Sequence, residues 1–335
     1  MVSRVFRPDR RAVLTGLGAA LAAPALLRAD DSLRFPNAFG EAVLKAPARR
    51  VVSLGYATQD SLLALGLPPV ALRYWYGPYQ DGLWPWAQPL AGSEKPVVLR
   101  GEPSAETIAG LAPDLIVAIG AALSAAEYQL LSMIAPVLVQ PADVPVYGTP
   151  WQLELSLIGR AIGREAEAER LTREATAHFD KIRARNPHWQ GRTAAAAWHD
   201  GGETGVFLAQ DARRRFLRDM GFVDPPGYAG LTPISDFYAN LSPEDLSPID
   251  ADLLVWISDA AHARDLAALP MRRTLRAVRE GREVFAGEEL GGALSFGSVL
   301  SLPWAIDRLE PEFNLALDGD PATPVPSAVE NGLAG

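Results

Sequence analysis

The stretch PSAETIAGLAPDLIVAI at 103–119 is written a second time, more loosely, as LSPEDLSPIDADLLVWI at 241–257. Superposed, Ser104 falls on Ser242, Glu106 on Glu244, Ile108 on Leu246, Leu111 on Ile249 and Asp114 on Asp252. Each serine suits a helix N-cap, where its hydroxyl accepts from a free N–H of the first turn. The glutamate two places on suits the positive end of a helix, and Pro243 suits the first helical position. Both copies then run into a short, continuously apolar segment, the pattern of a strand buried on both faces under helices. Each copy therefore predicts a short capped helix feeding a buried parallel strand. Two copies predict two similar α/β lobes.

Length and composition set outer limits. With 335 residues there is room for two cores. The absence of cysteine removes disulfides, zinc-thiolate sites, iron–sulfur clusters and thiol nucleophiles together. Only four histidines occur, at 178, 188, 199 and 262, with no spacing of two or four between any pair, so no zinc site built by the protein is expected. The net charge is −9, and the first 29 residues hold five of the arginines, leaving the remainder more acidic still. Such a surface argues against nucleic acid as a partner.

Residues 1–29 read as an export signal. Arg4, Arg7, Arg10 and Arg11 precede the apolar run AVLTGLGAALAAPALL at 12–27, and Arg28-Ala29 closes it. The apolar run is shorter than the ~20 residues that span a bilayer. Arg10-Arg11 in DRRAVLTG fits the twin-arginine pattern. No cysteine follows to carry a lipid anchor, so the expected location is the periplasm, free of the membrane.

Beyond the signal, an N-terminal α/β lobe is expected over 30–162. RVVSL at 50–54 reads as its first strand, followed by a helix through DSLLAL and a strand at 69–72. The loop from Arg73 to Trp86 is rich in aromatics: Tyr74, Trp75, Tyr76, Tyr79, Trp84 and Trp86. A helical stretch at 163–187, with Leu171, Ala175, Phe179 and Ile182 on one face, is long enough to cross between lobes. A C-terminal α/β lobe follows over 188–318, and the tail 319–335 reads as disordered on composition. No Walker loop or G-x-S-x-G elbow occurs, and His199-Asp200-Gly201-Gly202 reads as a strand-to-strand turn rather than a catalytic pair.

The order of these parts resembles the periplasmic substrate-binding proteins of iron–siderophore ABC importers, nearest to the ferric-hydroxamate binders of the ferrichrome type. The likeness covers the chain beyond the signal and is strongest at KPVVLRGEPSAETIAGLAPDLIV, 95–117, followed by LLSMIAP, 130–136. It implies two α/β lobes joined by one long helix, in the manner of class III periplasmic binding proteins, acting as a monomer that is not an enzyme. A ferric siderophore would lie in the cleft, its iron held by the chelator and not by protein ligands, with no cofactor.

The resemblance also assigns residues. Arg100, ahead of Glu102-Pro103, would donate to the iron-coordinating oxygens, as a guanidinium fork can; its plainer alternative is a surface ion pair with Glu102. Trp75, Tyr76 and Tyr79 would line the cleft from one lobe, and Phe237 and Tyr238 from the other. The loop Gly287-Glu288-Glu289 would face the ligand with an acidic pair, favouring a neutral or cationic complex. Asp60 and Asp219 would dock to the ABC permease, one on each lobe. Rival readings are a cobalamin or haem receptor of the same fold, or an exported hydrolase using His199 and Asp200.

Overall fold

The computed structural model describes residues 32–333 except 94, 209, 235 and 236; the expected signal lies outside these. An antiparallel hairpin, β1 (Leu33–Asn37) and β2 (Gly40–Leu44), leads into the first sheet. That sheet comprises β3 (Val51–Ser53), β4 (Ala71–Arg73), β5 (Val97–Leu99), β6 (Leu115–Val117) and β7 (Val137–Leu138), all parallel, in the order β5-β4-β3-β6-β7. Helices α1 (Thr58–Ala64), α2 (Ala105–Gly110) and α3 (Ala125–Ser132) make its crossovers. β3 and β6 are wholly buried, which is why their sequences are unbroken apolar runs rather than alternating ones.

The second sheet comprises β8 (Ala194–Asp200), β9 (Glu203–Phe207), β10 (Tyr238–Leu241), β11 (Leu253–Trp256) and β12 (Glu283–Phe285), in the order β10-β9-β8-β11-β12. Here β8, β11 and β12 are parallel, while β8-β9-β10 form an antiparallel meander. Around it lie α6 (Ala212–Asp219), α7 (Ala263–Ala268), α8 (Arg276–Arg279), α9 (Gly287–Phe296), α10 (Ser301–Ala316) and α11 (Pro326–Glu330).

Between the sheets run α4 (Trp151–Ala161) and α5 (Glu165–Arg185). α5 packs on α4 through Ala168, Ala175, Phe179 and Ile182, which are buried. Its other neighbour is α10, reached by the His178–Asp307 contact at 2.7 Å and by the Arg185–Glu310 ion pair. One helix thus touches both halves.

The halves also share a core. Trp84 and Trp86, from the aromatic loop of the first half, stack on each other at 5.2 Å and pack on Phe296 at 5.8 and 5.5 Å. Trp86 meets Trp304 at 5.4 Å. The wedge is tight: a Cβ on Gly292 would come within 2.6 Å of Trp84.

Two expectations need correction. The second copy of the repeat forms no capped helix. Ser242 lies in a turn after β10, Glu244 N donates to its hydroxyl at 3.3 Å, and only one 3-10 turn, Ser247–Ile249, precedes β11. Pro248 fits this, since it lacks the N–H that an α-helix running through it would need. The first copy does form its helix, and Ser104 accepts from Thr107 N.

The tail, secondly, is ordered through Leu333. Val325, Ala328 and Leu333 are buried, the Ser327 hydroxyl donates to Glu312 at 2.8 Å, and Phe285 N donates to Ser327 at 3.1 Å. Buried Arg272, ion-paired with Glu283 of β12, also donates to the Leu333 carbonyl. Polar composition concealed three apolar anchors, and Pro326 at the first helical position starts the turn that delivers them.

Candidate functional site

Parallel strands of an α/β sheet deliver their following loops to one edge, where ligands bind. From the first sheet that edge receives Tyr56 after β3, Arg73 and Trp75 at the end of β4, and Gly120 after β6. From the second half come Phe207 at the end of β9, Arg213 on α6, Phe237-Tyr238 at the start of β10, and Phe296 at the end of α9. All of these except Arg73 close around a cavity of about 450 Å³. Its deep wall is the start of α4: Thr149, Trp151 and Glu154. A second cavity of about 290 Å³ adjoins it over α9 and shares Phe207, Arg213 and Ser295. A third, about 260 Å³, lies under α2 and α3 and shares Tyr56.

The walls are largely aromatic. Tyr56 stacks on Trp75 at 5.0 Å, Trp75 reaches across to Phe296 at 5.4 Å, and Tyr147 meets Phe237 edge-on at 5.8 Å. Two guanidiniums reach the cavities, and each is already partnered. Arg213 pairs with Asp211 at 2.8 Å, donates to the Ser295 hydroxyl at 2.7 Å, and lies 4.1 Å over the Phe207 ring. Arg73 pairs with Glu102 at 3.2 Å and lies 4.9 Å from the Tyr56 ring centre. Asp211 also caps α6 by accepting from Arg213 N, so one acid both starts the helix and holds its arginine.

The residues singled out from sequence divide. Trp75, Phe237 and Tyr238 line the shared cavity. Tyr76 and Glu288 line its neighbour over α9. Tyr79 lines none of the three cavities; it packs on Trp84 at 5.2 Å, its hydroxyl donates to Glu289, and that bond pushes its own pKa up to about 12. Glu288 and Glu289 do not lie in a loop; they occupy the first turn of α9, where negative charge is favoured.

Arg100 lines none of the three cavities. Its guanidinium lies 4.0 Å over the Tyr74 ring and donates to the Gln80 side chain at 2.8 Å, just past the end of the edge strand β5. It makes no pair with Glu102 either, because Arg73 occupies that acid. The arginine of the cleft is Arg213. A stretch such as DARRRFL reads only as a basic helix, and nothing in it distinguishes the one arginine that turns inward.

Asp60 is also corrected. It is 1% exposed, accepts from Trp86 Nε1 at 2.7 Å and from Ser298 Oγ at 2.6 Å, and so bridges the halves inside the protein. Burial raises its pKa to about 7. A residue so enclosed cannot meet a permease. Asp219 is exposed at the end of α6.

His199 and Asp200 are successive residues of β8 and point to opposite faces. His199 Nδ1 contacts Thr204 Oγ1 at 2.9 Å, whereas Asp200 contacts His262 at 3.0 Å. They form no pair. Both ring nitrogens of His262 are taken up, by Asp200 and by Asp259 at 2.9 Å. Among the described residues there is no grouping of three or more His, Cys, Asp or Glu that could hold a metal, and no helix long and apolar enough to cross a membrane.

Comparison with known proteins gives this geometry a context. The chain is 32% identical over 219 residues to the ferric enterobactin-binding periplasmic protein FepB of Escherichia coli; the match covers 62% of this chain and 66% of FepB, just under two thirds of that relative. A crystal structure of a periplasmic solute binding protein from Mycobacterium smegmatis superposes with a TM-score of 0.77 at 33% identity, over 86% of this chain and 100% of that one. PiaA of Streptococcus pneumoniae, crystallised with ferrichrome, shares the fold at a TM-score of 0.73 and 22% identity, over 86% of this chain and 99% of its own. The family model for periplasmic binding proteins matches residues 51–290. With two α/β halves, a connecting helix and a cavity walled by both, the chain belongs to the periplasmic binding protein family, a family of binders and not of enzymes.

Proposed function

We propose that this protein captures a ferric siderophore, of the hydroxamate type, in the cavity between its lobes and delivers it to an ABC importer from the periplasm, as a monomer. The observation that carries the reading is an aromatic-walled cavity shared by both halves whose arginines are already neutralised. A tris-catecholate ferric complex carries three negative charges and needs unpaired cations around it. Here Arg213 is matched by Asp211 and Arg73 by Glu102, while Glu154 and Glu288 add negative charge. A neutral ferric hydroxamate fits better: flat rings cover its apolar body, and Arg213 can still donate to oxygens that keep negative character. The iron stays in its chelator.

Titration of the purified protein with a ferric trihydroxamate should quench its tryptophan fluorescence, since Trp75 and Trp151 line the cavity. Arg213→Ala should weaken binding by about tenfold or more, as expected for a charge-assisted bond, and Arg100→Ala should leave it nearly unchanged. Absence of any response to ferric hydroxamates, catecholates and carboxylates alike would sink the reading.

Docking to the permease, with Asp60 inside the fold, has to use other acids. The repeat supplies an exposed one at equivalent places on each lobe, Glu106 and Glu244. Charge pairs of this kind set orientation and encounter rate.

A further inference from the structure

We propose that the deep wall of the cleft is a subsite for a protonated primary amine carried by the bound chelate, with Glu154 as its counter-ion. The proposal rests on the reading of the protein as a ferric-chelate receptor and narrows the class of chelate.

Glu154 projects from α4 into the shared cavity, and its Oε1 accepts from Ser61 Oγ at 2.7 Å. No lysine, arginine or histidine among the described residues makes an ion pair with it. The two arginines that reach the cavities are held by other acids. Its charged neighbour on α1 is another carboxyl, the buried Asp60. An ionised carboxylate in this position lacks a counter-charge, which burial makes costly. Burial accordingly lifts the Glu154 pKa to about 7, with the Asp60 charge adding to the rise and the Ser61 bond opposing it.

A second observation comes from the same wall. Trp151 is 7% exposed, lines the cavity, and its indole Nε1 has no hydrogen-bond partner; the Thr149 hydroxyl beside it in sequence has none either. Buried polar groups left unpaired cost about 1–3 kcal/mol each, and protein interiors rarely tolerate them. Nε1 can only donate, so it calls for an acceptor such as an amide carbonyl. A chelate arm ending in an ammonium near an amide supplies both halves: a cation for Glu154 and an oxygen for Trp151. An arm ending in a carboxylate offers Trp151 an acceptor but no cation for Glu154, and sets like charge against that acid.

The test uses the full-length mature protein and two probes: a linear ferric trihydroxamate ending in a free primary amine, and the same chelate N-acetylated. Fluorescence titration at pH 7 should show the amine probe binding wild type about tenfold more tightly, one close charge pair in a partly desolvated site. Glu154→Gln should lose the preference and bind both probes alike, with its fold checked by circular dichroism. Equal affinity of wild type for the two probes would overturn the subsite while leaving the receptor reading intact. Binding of neither probe would overturn the hydroxamate assignment, and the subsite with it. The wild-type comparison decides the matter whether or not the variant folds.

Discussion

The two lobes solve one problem with different parts. In each, the strand that ends the repeat, β6 or β11, pairs in parallel with the first strand of its own sheet, β3 or β8. In each, the aspartate just before that strand secures the neighbouring chain. Asp114 accepts from the backbone N–H groups of Arg49 and Arg50 at 2.8 Å each. Asp252 accepts from Thr193 N at 2.9 Å and from Thr193 Oγ1 at 3.0 Å. The helix before it is present in the first lobe and reduced to one 3-10 turn in the second. The aspartate and the buried strand are therefore what the repeat preserves, and the capped helix is dispensable. A strand's place is set by its ladder and by the group that anchors its entry, and a connection only has to reach.

The lobes also differ in how they hold charge. Asp252 carries Arg276 and Arg282 at 3.1 Å each, whereas two acids of the first lobe, the buried Asp60 and the cavity-lining Glu154, have hydroxyls and an indole but no cation. The acid at the entry of the second lobe's repeat strand is closed by arginines, and the first lobe holds two acids without a counter-charge.

Perturbing what the lobes share should have the largest effect. Trp84→Ala removes a fully buried ring from the wedge between halves and should cost about 3–5 kcal/mol, read as a fall in the denaturant midpoint. A change confined to one of two separate unfolding transitions would show that the lobes do not share a core. Next, Asp252→Ala should cost roughly 3 kcal/mol and Asp114→Ala roughly half that, because only Asp252 also takes a partner from two arginines, Arg276 and Arg282, of which Arg282 keeps Glu280. Equal losses would mean that the arginines contribute nothing. Reversing Glu106 and Glu244 to arginine together should leave chelate affinity unchanged and cut uptake through the importer by about tenfold; unchanged uptake would remove those acids from the docking face.

The smallest effect at neutral pH is expected from Asp60→Asn, whose signature is a slope. The folded chain holds the Asp60 proton up to about pH 7, while the unfolded chain releases it near 3.8. Stability from this group is fully present below about 3.8 and is lost as pH rises toward 7. Asp252 runs the other way, because its pKa is lowered in the fold; its contribution is lost as pH falls. Unfolding measured between pH 4 and pH 7 should show a flatter profile in the upper part of that range for Asp60→Asn. An unaltered profile would mean that Asp60 does not stay protonated.

Much of the fold was legible because apolar runs and caps are local signals. The strands at 115–117 and 253–256 follow from unbroken apolar runs, and the helix after Ser104 from its cap. Trp75, Phe237 and Tyr238 could be placed at the cavity through the family resemblance, whereas Trp84 and Trp86 of the same aromatic loop went to the core. Arg100 could not be placed so well: a guanidinium on a long flexible stem turns to whichever partner is in reach, and here Tyr74 and Gln80 reach it first. Asp60 read as a surface acid because nothing in DSLLALG reveals that Trp86 and Ser298, the latter 238 residues away, close over it.

The chain's own text determined that there would be two α/β halves, where their central strands begin, and that no cysteine chemistry is available, since these depend on residue type and near-neighbour spacing. Which arginine turns into the cleft, which acids lose their water, and that the aromatic loop welds the halves together were decided only by the tertiary structure. Burial and charge pairing arise from residues distant in sequence, and their energies depend on what finally surrounds each group.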